Sequence, residues 1–383
     1  MMITNNLGLY LHIPFCVRKC SYCDFLSFGC NDNKVLSEYV NALMEEINIK
    51  SIDWRYRKVD SIFIGGGTPS LVSEWDMGRL LDHIKDNFDV AEDAEITIEV
   101  NPATVSDEKL ERYLRKGINR LSIGVQSFDN HVLQVLGRIH NKNDAFYCVQ
   151  RAQKVGFKNI NIDLMFGIPE QSMKMWKDTV RQAIFQRPTH ISLYSLQVEE
   201  GTEMYEHIYQ TGKYEPTAEE TDREMYHIAL KMLKAAGYKH YEISNAALPG
   251  YESRHNMKYW SYAEYLGLGL GSSSFANGSR FKNCERMQDY IKAIKEKRTP
   301  VDVGSVEKYS NREEMGIYIF TGLRKTEGID LRHFRRIFGK ELFEVYDSKL
   351  PDRYRGLLMV EGDRMFLSEK GMDVSNRIMA EFI

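Results

Sequence analysis

Three cysteines, Cys16, Cys20 and Cys23, are spaced C-x3-C-x2-C directly after a short apolar run, Leu9-Tyr10-Leu11-His12-Ile13. A loop this short can fold three thiolates onto one iron–sulfur cluster and leave a fourth iron without a protein ligand, since thiolate is the ligand such clusters use. An open iron is a place for chemistry. Zinc would require a fourth Cys or His nearby, usually as a second pair, and Cys30, Cys148 and Cys284 show no such pairing. Six cysteines in 383 residues, with no secretory signal at the amino terminus, fit a disulfide framework less well still. Cys148 falls within a stretch of helical period and reads as a small buried residue.

The elements that position the cysteines recur down the first half of the chain. Short apolar, β-branched runs at 9–13, 61–64, 95–99, 120–125, 159–164 and 190–196 alternate with amphipathic stretches at 35–50, 75–87, 106–116, 143–156 and 173–186. Ser106-Asp107-Glu108 and Asn143-Asp144 mark helix starts, and Gly117 and Gly156 stand where helices stop. Repeated βα units predict an α/β fold with a parallel sheet, either doubly wound or a closed or partial barrel; periodicity does not choose between them. Both gather ligands at the carboxyl ends of the strands.

Those ends are rich in glycine and polar groups. The second run ends in Gly65-Gly66-Gly67-Thr68-Pro69, where a backbone without side chains can come into contact with a ligand. No Gly-Lys-Ser/Thr ending follows, which argues against a nucleotide phosphate loop. Glu99, Gln126 and Asp163 end the third, fourth and fifth runs and suit ribose hydroxyls or an ammonium group, while Arg138 suits a carboxylate. Four polar residues at successive strand ends read as one site.

Beyond residue 200 the pattern loosens. Residues 217–236 read as a long helix and 238–244 as a strand, followed at 261–279 by a run rich in glycine and serine. A separate unit begins near 305, with helices at 311–323, 330–338 and 341–349, a hairpin at 357–367 and a last helix from Ser368. The expected division is 1–240, 241–304 and 305–383. Three helices and a hairpin resemble a winged helix, but without a basic recognition face nucleic acid is not expected. A formal net charge of −3, from 51 basic and 54 acidic residues, gives no general attraction to nucleic acid or to an acidic membrane. No apolar run approaches the ~18 residues of a membrane span, so a cytoplasmic protein is expected.

Taken together these segments resemble the HemN/HemW family of radical S-adenosylmethionine (SAM) proteins. The likeness rests on Tyr10-Leu-His-Ile-Pro-Phe-Cys16, Gly65-Gly-Gly-Thr-Pro69, Glu99-Val-Asn-Pro102, Gly124-Val-Gln-Ser-Phe128 and Asn161-Ile-Asp-Leu164. The resemblance implies a partial (β/α)6 barrel followed by a smaller, mainly helical, winged-helix-like domain. It implies a [4Fe-4S] cluster on Cys16, Cys20 and Cys23. It assigns Tyr10, Tyr22, Gly66, Gly67, Thr68, Glu99, Gln126, Arg138 and Asp163 to SAM, which such proteins cleave reductively.

Two activities share this scaffold. One branch is the oxygen-independent coproporphyrinogen III oxidase, an enzyme of porphyrin biosynthesis that decarboxylates propionates; the other binds heme as a chaperone. The oxidase branch carries a fourth cysteine two residues after the third, where Phe25 stands here, and a long segment before the first strand, which here begins near the chain start. Arg254-His255-Asn256-Met257-Lys258-Tyr259-Trp260 contains the HNxxYW pattern of the chaperone branch. His255 has an imidazole for heme iron, and Tyr259 and Trp260 have rings to stack on a macrocycle. The resemblance therefore favours a heme chaperone that delivers heme to apo-proteins such as respiratory cytochromes. An electron donor such as flavodoxin or ferredoxin goes with it, and it leaves room for a homodimer and a transient membrane contact.

Overall fold

The computed structural model describes residues 6–30 and 32–383. Six strands, β1 (Leu7–Ile13), β2 (Lys58–Gly66), β3 (Asp89–Val100), β4 (Arg120–Gln126), β5 (Asn159–Phe166) and β6 (His190–Ser195), pair in parallel in sequence order. That order settles what periodicity left open. A doubly wound sheet reverses direction at a switch point, whereas a single winding with right-handed crossovers keeps every helix on one face and leaves the other face as a barrel interior.

The expected helices form the outer layer at Asn33–Trp54, Glu74–Asn87, Asp107–Arg115, Lys142–Val155 and Met173–Phe185. Ser106 caps its helix by accepting from the Lys109 N–H, and Gly156 ends its own at φ 115°, a left-handed conformation suited to glycine. The fourth of these helices starts earlier than the Asn143-Asp144 signal suggests. Asn141 is its cap, and a capping box closes through Asp144. Cys148 is buried on the inner face of this helix.

The glycine- and serine-rich run holds two strands that periodicity did not reveal. Tyr265–Leu268 pairs in parallel with β1, and Ser273–Ala276 returns antiparallel beside it. Gly267 has no room for a Cβ, which would collide with the Ser273 carbonyl, so glycine here serves a crowded strand rather than a loop. At the opposite edge, Lys239–Glu242 and Asn245–Ala247 add an antiparallel hairpin to β6.

A second core gathers Ile319, Phe334, Met365 and Ile378 around helix Asn311–Gly322, helix Leu331–Phe338 and the hairpin Leu358–Glu361/Arg364–Leu367. The helix expected at 341–349 is shorter: Leu342–Val345 stops where Tyr346 turns extended and packs on Phe382. A separate short turn, Leu350–Arg353, follows with Pro351 in its first turn. The last helix likewise splits into Glu369–Met372 and Ser375–Met379. Among the described residues, no helix is long and apolar enough to cross a membrane.

Candidate functional site

The cysteine loop leaves β1 and is fastened at several points. Phe15 and Cys16 pair with Phe28 and Gly29, so the loop closes on itself. Arg18 donates to the Gly137 carbonyl at 2.8 Å, Ser21 Oγ to the Val135 carbonyl at 3.1 Å, and the Met204 N–H to the Ser21 carbonyl at 2.7 Å. These bonds tie it to the turn after β4 and to the segment after β6. These bonds of the protein's own hold the cysteines over the strand ends.

All three cysteines line one cavity of about 460 Å³. Tyr22, Gly66, Gly67, Thr68, Glu99, Gln126, Arg138 and Asp163 share its wall, and the structure thus brings together eight of the nine residues expected around SAM. Tyr10 stands one step back. Its ring stacks on Phe63, which lines the cavity, and its hydroxyl meets His12 Nδ1 at 3.0 Å. Thr68 Oγ1 donates to Cys16 Sγ and Arg138 Nη1 to Cys20 Sγ, both at 3.5 Å. Burial pushes the Cys23 thiol up to about 11 and raises that of Cys16, so cationic partners are needed to hold these sulfurs as thiolates.

The turn after β2 needs its glycines. Gly66 sits at φ 117°, and a Cβ on Gly67 would lie 2.6 Å from the Phe15 carbonyl oxygen. The Gly66 N–H donates to Glu99 Oε2 at 3.1 Å. Burial, reinforced by Asp163, pushes the Glu99 carboxyl up to about 8. Asp163 is raised by burial as well, although it accepts from Asn161 at 2.8 Å and from Ser122 at 3.1 Å.

Three buried polar atoms on this wall, Gln126 Oε1, Arg120 Nε and Arg138 Nε, have no hydrogen-bond partner among the described residues. Gln126 is also held at φ 63°, unusual for a residue other than glycine and a strain that recurs at ligand sites. A cavity with three sulfur donors, bare backbone and unpaired amide and guanidinium atoms fits a cluster carrying a small polar cofactor. Among the described residues, no three His, Cys, Asp or Glu side chains converge closely enough to share a single ion. A cluster is less demanding in this respect, because it spreads its protein ligands over several irons.

Several wall residues were not legible as site residues: Phe63, Arg120, Ser122, Asn161, Tyr194 and Asn256. Most of them follow one signal. Ser122 with Gln126, Asn161 with Asp163 and Ser192 with Tyr194 fall at even spacings along β4, β5 and β6, so they share the interior face. Polar residues at alternate positions of apolar strands mark that face.

The HNxxYW segment forms the helix Arg254–Trp260, capped by Ser253. Its first turn docks on β3, with the Arg254 and His255 N–H groups donating to Glu95 at 3.2 and 3.1 Å. His255 is 0% exposed, and its two ring nitrogens are hydrogen-bonded to Ser61 Oγ and Tyr259 Oη, each at 2.9 Å. Burial pushes the imidazole down to about 3. As placed, His255 has no free nitrogen for iron, and Tyr259 is turned inward as its partner. The ring expected to meet a macrocycle that does reach a cavity is Trp260, on the far side of the helix.

Comparison with known proteins fits this arrangement. Residues 10–183 match the model of the Radical SAM superfamily, and residues 309–374 that of the HemN C-terminal domain. The chain is 36% identical over 376 residues to the heme chaperone HemW of Bacillus subtilis (strain 168), covering 98% of both chains. The chain belongs to the HemN/HemW family of radical SAM proteins. Its likeness to the heme chaperone HemW of Lactococcus lactis is 35% over 384 residues, covering 100% of this chain and 98% of the relative. With that of Escherichia coli (strain K12) it is 41% over 268 residues, 70% of this chain and 69% of the other. The solved structure of coproporphyrinogen III oxidase (HemN) from Escherichia coli superposes with a TM-score of 0.85 over 100% of this chain and 91% of that one. At 22% identity this last likeness speaks for the fold alone: a radical SAM partial barrel with a smaller, mainly helical domain.

Proposed function

We propose that this HemN/HemW-family protein is a cytoplasmic heme chaperone. In this reading it holds a [4Fe-4S] cluster on Cys16, Cys20 and Cys23, binds SAM beside it, and hands heme to apo-proteins such as respiratory cytochromes. A flavodoxin or ferredoxin would be its electron source. The observation that carries the cofactor part is the single cavity joining the three cysteines to Glu99, Gln126, Arg138 and Asp163. The chaperone part is supported by the names of relatives 35–41% identical over most of their length. Phe25 supports it further, since it stands where the resemblance places the oxidase branch's fourth cysteine.

When bound, cluster and SAM together supply one-electron cleavage of a carbon–sulfur bond. The chain's own residues bind and orient. Gly66, Gly67 and Thr68 would offer backbone at close range, Arg138 would take a carboxylate, and Glu99 and Asp163 would take ammonium and hydroxyl groups. The test is anaerobic incubation of the reconstituted protein with coproporphyrinogen III, SAM and a reductant, beside a heme titration. Heme is expected to bind and no protoporphyrinogen IX to form; formation of protoporphyrinogen IX would overturn the chaperone reading in favour of the oxidase.

Glu99 makes SAM binding depend on pH. With its carboxyl at about 8, the free site is largely protonated at pH 7, and an ammonium partner draws off that proton. Affinity should rise by up to about tenfold per pH unit below this value and level off above it. Glu99→Gln should flatten the profile, measured by isothermal titration in buffers of different ionisation enthalpy. In the unliganded fold the same raised value acts on stability, which is fully present below the ordinary carboxyl value of 4.5 and is lost as pH rises through about 8.

A further inference from the structure

A second cavity, of about 480 Å³, opens between the Arg254–Trp260 helix and the carboxyl-terminal unit. No part of the cluster site lines it. Its size is ordinary for a small-molecule site. Lys325, Arg332, Arg336 and Arg364 face it against only two carboxylates, Glu327 and Asp330. Arg332 is paired outward with Asp363, and Arg364 lies 4.0 Å from Asp330. Among the described residues no carboxylate pairs with Lys325, although its side chain is largely buried.

Two lining donors are buried without a partner: Trp260 Nε1 and His333 Nε2. The Arg336 guanidinium donates to His333 Nδ1, which leaves the proton of the neutral ring on Nε2. Both orphaned atoms are thus N–H donors, and such groups are costly to bury unless an acceptor arrives. The remaining wall is largely apolar and aromatic, with Tyr318, Ile329 and Met257 lining it together with Trp260. Arg324 covers one face of that ring at 4.3 Å.

An excess of cations, two unpaired donors and an aromatic, thioether-bearing wall recognise a flat apolar body with a carboxylate edge. We infer that this cavity holds the propionate edge of heme, with Arg336, Arg364, His333 and Trp260 taking the carboxylates. The inference rests on the heme-chaperone reading and gives it a place. The HNxxYW helix then has a physical task, because Asn256 lines the cluster cavity while Met257 and Trp260 line the second one. The helix that contributes to both sites has His255 and Lys258 as its buried members.

The experiment is a titration of the reconstituted full chain with heme, with metal-free protoporphyrin IX and with protoporphyrin IX dimethyl ester, followed by absorbance and tryptophan quenching. The wild type should bind heme and the free acid, and at least about tenfold more weakly the ester. Arg336→Ala/Arg364→Ala should lose at least about tenfold in heme affinity with iron content unchanged. Trp260→Phe should remove most of the quenching while the protein still binds. Unchanged affinity in the double variant, or equal binding of acid and ester, would overturn the site while leaving the chaperone reading intact. Failure of the wild type to bind heme at all would instead overturn both.

Discussion

Replacement of Cys20 by serine is expected to empty the first cavity of iron. Anaerobic reconstitution of the wild type should yield about four irons and four sulfides per chain, and Cys20→Ser less than about one. The loss is steep because, among the described residues, only three thiols line the cavity, and a hydroxyl neither ionises readily nor binds iron as a thiolate does. Arg138 also loses its 3.5 Å contact to the Cys20 sulfur and keeps the 2.7 Å bond from its other terminal nitrogen to the Gly124 carbonyl. The fold should survive, because Arg18, Ser21 and the Phe15–Phe28 pairing fasten the loop independently of the sulfurs. Circular dichroism should therefore match the wild type while the visible absorbance and SAM retention in equilibrium dialysis disappear. Cys148→Ser is the control: that residue lies inside a helix core, and iron content should not change. Full iron in Cys20→Ser would refute the three-cysteine assignment.

Loss of the Glu46 carboxylate should destabilise the barrel by about 3–5 kcal/mol. Glu46 and Lys50, 0% and 4% exposed, meet at 2.9 Å on the inner face of the Asn33–Trp54 helix. Glu46 also accepts from the Gly269 N–H, Tyr290 Oη and Asn283 Nδ2, each at 2.7 Å, while Lys50 donates to the Gly267 carbonyl and Asn283 Oδ1 at 2.9 Å. The network ties this helix to the added strand beside β1 and its following turn through Gly267 and Gly269, and to the later chain through Asn283 and Tyr290. Glu46→Ala leaves an unpaired ammonium buried among these groups, which is the costly outcome. Glu46→Leu/Lys50→Met should cost clearly less than either single change, because no charge is stranded. Urea midpoints at constant slope would measure the wild type, Glu46→Ala, Glu46→Leu, Lys50→Met and the double variant. Equal losses in the single and double variants would show that packing, not charge, sets the value.

Much of this protein can be read from one dimension. The cysteine spacing, the glycine turn and the six β-branched runs are local features, and local periodicity survives without knowledge of neighbours. Glu99, Gln126 and Asp163 were legible because each lies in the carboxyl-terminal half of a strand, and parallel strands present their carboxyl ends on one side. The alternation of residues such as Ser122 and Asn161 was present too, although it takes a known interior face to give it meaning.

Other features depend on which distant segments meet. The strands within the run 261–279 were not legible because its glycines answer crowding by Ser273 and His12 across strands, which composition cannot express. Sheet order, and with it barrel over doubly wound sheet, came from hydrogen-bond partners far apart in the chain. His255 and Trp260 sit five residues apart in one motif, yet one is sealed against Ser61 and the other faces the carboxyl-terminal unit. Residue type prescribes what a side chain can do, but burial and partners, which only tertiary packing supplies, decide whether it is free to do it.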